Sequence, residues 1–200
     1  MSNLEQLLDR AAITDLVNRY ATGLDRRDWK LLRSIFADEI DMEYTSVGIK
    51  AGRYSADRWV RSSEVLFAGF GPTQHTLTNH AIDLNGDTAH CVMYMRAEHF
   101  IVEDAPRDNC WTIGGYYTVN LKRSTEGWKI HAMGLHVTWQ TGNRELSNLA
   151  IERGRVKLGI KPRSKRYFGS SAAISSGVVR GPKRATTLPE PSTRNFVKFH

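Results

Sequence analysis

Ile13, Leu16, Val17, Tyr20, Ala21 and Leu24 fall at i, i+3, i+4, i+7, i+8 and i+11. That spacing lays one continuous apolar stripe along an amphipathic helix. A helix with such a stripe needs a second apolar surface to cover it, and the rest of the chain must supply one. The stripe carries a tyrosine, Tyr20, and an aspartate, Asp25, follows where the helix should end. A polar group at a core-facing position needs a partner, and a pocket is one way to supply it.

The covering surface is legible further on. Ser2 and Glu5 form a capping-box pattern that starts the first helix near residue 3. Asp28 is an N-cap for a second helix, Trp29–Phe36, and Ile40, Met42 and Tyr44 then alternate with polar residues as in a strand. Ser55 caps a third helix with Trp59, Val60, Leu66 and Phe67 on its apolar side, and Gly69, Gly71 and Pro72 stop it. From Thr73 the pattern becomes long strands. Thr73–Leu84 and Thr88–Glu103 are joined through Asn85-Gly86, a strong hairpin signal, and Ile113–Arg123 and Trp128–Gln140 are joined through Ser124–Gly127. Helices followed by antiparallel strands predict an α+β fold with helices packed on one face of a curved sheet.

Charge divides the chain in two. From Gly142 onward there are 13 Lys+Arg against 3 Asp+Glu, a net of +10, whereas the preceding residues carry 15 against 18, a net of −3. Leu146–Val156 can form one more helix, and about 157–200 mixes Gly, Ser, Pro, Lys and Arg with few apolar residues. The expected organisation is therefore a domain over 1–146 and a basic tail over 147–200, with one short helix and then disorder. The tail is a candidate contact for nucleic acid or an acidic partner, or a lid over a pocket mouth. It lacks regular aromatic interleaving, so the sequence points away from nucleic-acid reading. No apolar run reaches the roughly 18 residues of a membrane span. No basic segment precedes an apolar one at the N-terminus, so no signal peptide is expected. Cys91 and Cys110 are too few for a disulfide framework. Free thiols in a cytoplasmic protein are the expectation, with a single disulfide the alternative.

Strand alternation sorts the histidines. His75 shares a face with Leu77, Asn79 and Ala81, and His80 points the other way. His99 shares a face with Ala89, Cys91, Met93, Met95, Ala97 and Ile101, so it is expected inside the domain; His90 lies opposite. A buried imidazole can move protons, but it can equally be a core residue whose nitrogen bonds a backbone carbonyl. Tyr20 and Tyr44 could aim hydroxyls into a cavity as donors to a carbonyl that gains enolate charge, or be plain core aromatics. Asp25 could hold a histidine or tyrosine in place, or sit solvated at a helix end. No His/Cys spacing fits a zinc site, and no GxSxG, P-loop or dinucleotide fingerprint occurs.

These weak signals fall into one pattern. The run DRAAITDLVNRYATGLDRRDWKLLRSIFADEIDMEY resembles the first half of SnoaL-like domains of the NTF2-like superfamily. TQHTLTNHAIDLNGDTAHCVMYMRAEHF resembles their central hairpin, and GGYYTVNLKRSTEGWKIHAMGLHVTWQTGN their last. The likeness covers about residues 5–146 and is nearest to the scytalone dehydratase and bile-acid dehydratase branch. It implies a cone-shaped α+β barrel with N-terminal helices on a mostly antiparallel sheet. It implies a homo-oligomer, a trimer with a dimer as the alternative, and a small hydrophobic, polar-substituted substrate. It also implies a dehydratase working without cofactor or metal. By the same resemblance Tyr20 contacts the substrate carbonyl, Tyr44 is a second pocket tyrosine, Asp25 is a pocket aspartate, His75 is the acid–base histidine, and His99 is its partner. An isomerase using the same pocket and a non-catalytic ligand-binding or oligomerisation module are the rival expectations, because the fold hosts many activities. The basic tail has no counterpart in this resemblance.

Overall fold

The computed structural model describes residues 2–102 and 106–161. The first helix, α1, spans Asn3–Arg26 and opens on the anticipated capping box, with Ser2 Oγ accepting from the Glu5 N–H and Glu5 accepting from the Ser2 N–H. Its apolar stripe is buried, and Gly23 lets the helix approach α2 (Trp29–Ser34) closely: a Cβ there would lie 3.0 Å from Leu32 Cβ. The helix runs on to Arg26 and closes at Arg27, whose φ of 59° turns its N–H back onto the Gly23 and Leu24 carbonyls.

Six strands form one sheet: β1 (Phe36–Glu43), β2 (Gly52–Ser55), β3 (Thr73–Asn85), β4 (Thr88–Phe100), β5 (Cys110–Ser124) and β6 (Gly127–Gly142). Their spatial order is β2-β1-β6-β5-β4-β3. Every pair is antiparallel except β1 with β6. The sheet ends at β2 and β3 and does not close, so the expected barrel is an open, curved sheet with helices on its inner face. Both hairpin turns fall where anticipated, on Gly86 and Gly127 with φ of 58° and 100°. Phe36 begins β1 rather than ending α2, and Tyr44 lies just past β1, at the start of a 3-10 turn over Thr45–Val47. The short strand β2 carries no alternation strong enough to announce itself.

A bulge in β3 changes the expected faces. The pairing with β4 shifts between Thr78 and Ala81, and Asn79 takes φ of 55°. Before the bulge His75 and Leu77 face inward; after it Ile82 is buried, while Asn79 and Ala81 are exposed. His80, expected on the far face, is half-buried, with Nε2 enclosed and unpaired.

The third helix, α3 (Ala56–Gly69), caps on Ser55. The fourth, α4 (Leu146–Lys157), packs on α3 backbone to backbone: Cβ atoms at Gly69 and Gly154 would fall 1.7 Å from the Ala150 and Val65 carbonyl oxygens. Leu146 and Ala150 are buried, and this helix falls within the first compact unit, Met1–Pro162. The remaining tail, 162–200, lies outside the described residues. Cys91 and Cys110 are free thiols.

Candidate active site

The end of α1 meets the start of β3. Asp25 Oδ1 accepts from His75 Nδ1 at 2.7 Å and from Thr73 Oγ1 at 2.9 Å, and Oδ2 accepts from the His75 backbone N–H at 2.7 Å. Burial pushes the Asp25 carboxyl up, but the ring, backbone and hydroxyl bonds outweigh it and hold it below the usual carboxylate range. Asp25 is therefore ionised at neutral pH and can only accept. A neutral His75 must then carry its proton on Nδ1, with the lone pair on Nε2.

Arg27, two residues past Asp25, closes the arrangement from behind. It donates through one terminal nitrogen to Thr73 Oγ1 at 2.8 Å and to the Leu24 carbonyl at 2.6 Å, and through the other to the Gly71 carbonyl at 2.7 Å. Its guanidinium lies 5.2 Å from the centre of the Phe67 ring.

His99 sits beside His75, edge to face, with 5.4 Å between ring centres. Its Nδ1 donates to the Trp111 carbonyl at 3.2 Å, and the Trp111 ring stacks on it at 5.1 Å. Phe67 packs against both imidazoles and Phe70 against His99. Burial, then the neighbouring His75, push His99 down to about 3. It is a neutral core histidine bonded to a backbone carbonyl, so it holds a ring in place and carries no proton to give from Nε2.

The tyrosines form a second group. Tyr20 and Tyr44 share a hydroxyl–hydroxyl bond of 2.9 Å, and Tyr117 packs on both, with ring centres 5.6 and 6.3 Å away. Burial pushes Tyr20 up to about 12 and raises Tyr44 and Tyr117 well above the ordinary phenol value, so all three are neutral donors. Tyr44 also lies against Trp59, whose Nε1 is buried without a partner.

The five residues singled out in the sequence thus arrive in two sets: Asp25, His75 and His99 in one, Tyr20 and Tyr44 in the other. Among the described residues no hydrogen bond or ring contact joins the sets. Tyr20 and Asp25 are about 7.5 Å apart along α1 by helical rise, and the Asp25 charge reaches Tyr117. A cleft of about 330 Å³ lies elsewhere, lined by Asp41, Glu43, Gly52, Thr118, Asn120 and Gly134, and includes none of the five. Among the described residues no three His, Cys, Asp or Glu side chains group as metal ligands.

Arg27, Thr73, Tyr117, Phe67, Phe70 and Trp111 were not singled out from sequence. Thr73 and Tyr117 had a signal: each is two residues from an inward position, His75 and Val119 respectively. Arg27 had none, because its role depends on a left-handed backbone at a helix end.

Known proteins place the chain. An uncharacterized protein of Mycobacterium tuberculosis is 27% identical over 131 residues, 65% of this chain and 86% of the relative. A protein of Kribbella flavida superposes with a TM-score of 0.67 at 26% identity, covering 72% of this chain and 99% of that one. A hexachlorocyclohexane dehydrochlorinase (LinA) Type2 superposes with a TM-score of 0.58 at 28% identity, covering 71% and 93%. Among the described residues no helix is long and apolar enough to cross a membrane. Residues 5–134, well over half of the chain, match the SnoaL-like domain, and the chain belongs to that family.

Proposed function

We propose that this chain is a lyase that eliminates water from a small hydroxylated ketone or enone, with His75 as its base and acid. The observation that carries the reading is the Asp25–His75 bond of 2.7 Å, because an ionised Asp25 puts the lone pair of His75 on Nε2. Nε2 takes the proton from the carbon beside the carbonyl. The C–H electron pair moves into an enolate, and Tyr20 and Tyr44 donate to its oxygen as charge grows there. The pair then returns to form the C=C bond, the C–O bond breaks, and the leaving hydroxide takes the proton from the His75 imidazolium as water. Asp25 stabilises that imidazolium, as a carboxylate does for a paired histidine. His99 stays neutral and holds the His75 ring edge-on. Nothing is oxidised or reduced, so these steps call for no redox cofactor.

Phe67, Phe70 and Trp111 pack around the two imidazoles, and these apolar surroundings of His75 suit a largely apolar substrate. The name of the 28% identical dehydrochlorinase denotes loss of HCl, an elimination as well, which supports the reaction class. The test is product mass after incubation with a panel of hydroxylated ketones. Dehydration lowers the mass by one water; isomerisation by the same residues leaves it unchanged. General acid–base catalysis contributes about 10²–10⁴-fold, so His75→Ala should lose a factor of that order. Full turnover by both His75→Ala and Tyr20→Phe sinks the assignment.

A further inference from the structure

We infer that Arg27 is a positioning residue, which holds the Asp25–His75 pair in place through Thr73 and holds Phe67 against the histidines. The inference rests on the reading of His75 as the base, and it concerns what makes that base available.

The direction of each hydrogen bond follows from chemistry alone. An arginine has donors only, so Thr73 Oγ1 must accept from Arg27 at 2.8 Å. A threonine hydroxyl has one proton, and the Asp25 oxygen at 2.9 Å is there to take it. An ionised carboxylate donates nothing, so the 2.7 Å contact from Asp25 to His75 Nδ1 has its proton on nitrogen. The chain Arg27 to Thr73 to Asp25, met by His75 from the other side, therefore has one consistent polarity. If the Arg27 donor is removed, the Thr73 hydroxyl is free to rotate, and Asp25 Oδ1 no longer has a committed second donor.

A backbone observation points the same way. Arg27 adopts φ of 59°, the left-handed region where a glycine would sit without its steric cost. The left-handed turn closes α1 through backbone bonds to the Gly23 and Leu24 carbonyls, and it also sends the arginine side chain away from the helix. That side chain reaches 44 and 46 residues along the chain, to the Gly71 carbonyl and the Thr73 hydroxyl, tying the end of α1 to the start of β3. It also lies over Phe67, whose ring meets those of His75, His99 and Phe70. Burial lowers the Arg27 pKa, countered by the Asp25 charge, yet no protein medium deprotonates a guanidinium at neutral pH.

The test reads the imidazole and not turnover. The full chain is labelled with 15N-histidine, and the ring nitrogen shifts and the exchange rate of the Nδ1 proton of His75 are measured with the ring neutral. The variants are Arg27→Gly, Arg27→Lys, Thr73→Val and Thr73→Ser. In the parent, His75 should show a single Nδ1–H tautomer. Arg27→Gly relieves the backbone, and Thr73→Val keeps the side-chain shape, so both are suited to fold. In both, the Nδ1–H tautomer should persist, because an ionised Asp25 still only accepts, but the Nδ1 proton should exchange about tenfold faster as the carboxylate loses its held geometry, the scale of one charge-assisted hydrogen bond. Thr73→Ser should restore the parent pattern, and Arg27→Lys, which lacks the two-pronged reach, should fall between. If Arg27→Gly and Thr73→Val keep the parent exchange rate while folded, the inference is overturned. Because no substrate is involved, this result is independent of whether elimination is observed: a parent with the expected tautomer and no lyase activity would sink the proposed function and leave the role of Arg27 standing.

Discussion

His75 bonds Asp25 twice, through its ring Nδ1 at 2.7 Å to one carboxylate oxygen and through its backbone N–H at 2.7 Å to the other. The carboxylate therefore grips both the ring and the strand that carries it. A residue fifty positions earlier, at the end of the first helix, sets both where the imidazole stands and which nitrogen bears its proton.

Asp25→Asn should preserve the shape and lose the chemistry. An amide can present its NH₂ to Nδ1, which moves the proton to Nε2 and removes the base. The expected loss in turnover is about 10⁴-fold, the scale seen when a triad aspartate is replaced by asparagine. Steady-state rates alongside a thermal melt check it: the melt should change little beside the rate.

His99 makes stability depend on pH. It stays neutral in the folded state down to about 3, whereas an unfolded histidine titrates near its ordinary value of about 6.5. Between those values the unfolded chain binds a proton that the folded chain refuses, so stability falls as pH drops through that window. The slope is at most about 1.4 kcal/mol per pH unit for one group. Asp25 adds to the loss at the acid end, since its stabilisation is present above the unfolded carboxylate value and goes as pH falls through its depressed folded value. Urea unfolding of the parent and of His99→Gln across this range should give a shallower slope for the variant.

Asp9 anchors the first helix to the far hairpin ends. Its carboxylate takes two bonds from Arg123, at 2.8 and 2.6 Å, and one from Trp128 Nε1 at 3.1 Å. Arg123 also reaches Asp87 and lies 4.5 Å from the Trp128 ring. Asp9→Ala leaves the indole N–H unpaired and the guanidinium short of its better partner. With Arg123 about one-third exposed, the expected cost is about 2 kcal/mol. It should be read as a lower urea midpoint at unchanged slope.

Gly69→Ala should undock α4. The added Cβ would lie 1.7 Å from the Ala150 carbonyl oxygen, which is backbone and cannot step aside. Overpacking of this kind costs about 1–3 kcal/mol. Limited proteolysis should cut the variant within Leu146–Lys157 sooner than the parent, at temperatures where both remain folded by circular dichroism.

Much of the local pattern was legible in the one-dimensional order of residues. The stripe from Ile13 to Leu24, the caps at Ser2, Asp28 and Ser55, the turns on Gly86 and Gly127 and the inward face of His99 each depend on neighbours a few positions away. Periodicity and turn chemistry carry that information. Tertiary structure decided the rest. Only the packing of α1 against β3 brought Asp25 to His75, and only the meeting of α1 with the end of β1 paired Tyr20 with Tyr44. The bulge at Asn79 reversed the faces of His80 and Ala81, because one unpaired residue shifts a two-residue period. The left-handed turn at Arg27 aimed a side chain at Thr73 and Gly71, and the glycines at 69 and 154 drew α4 into the domain. Such contacts join residues tens of positions apart, and their partners are set by which surfaces the folded sheet and helices present to one another.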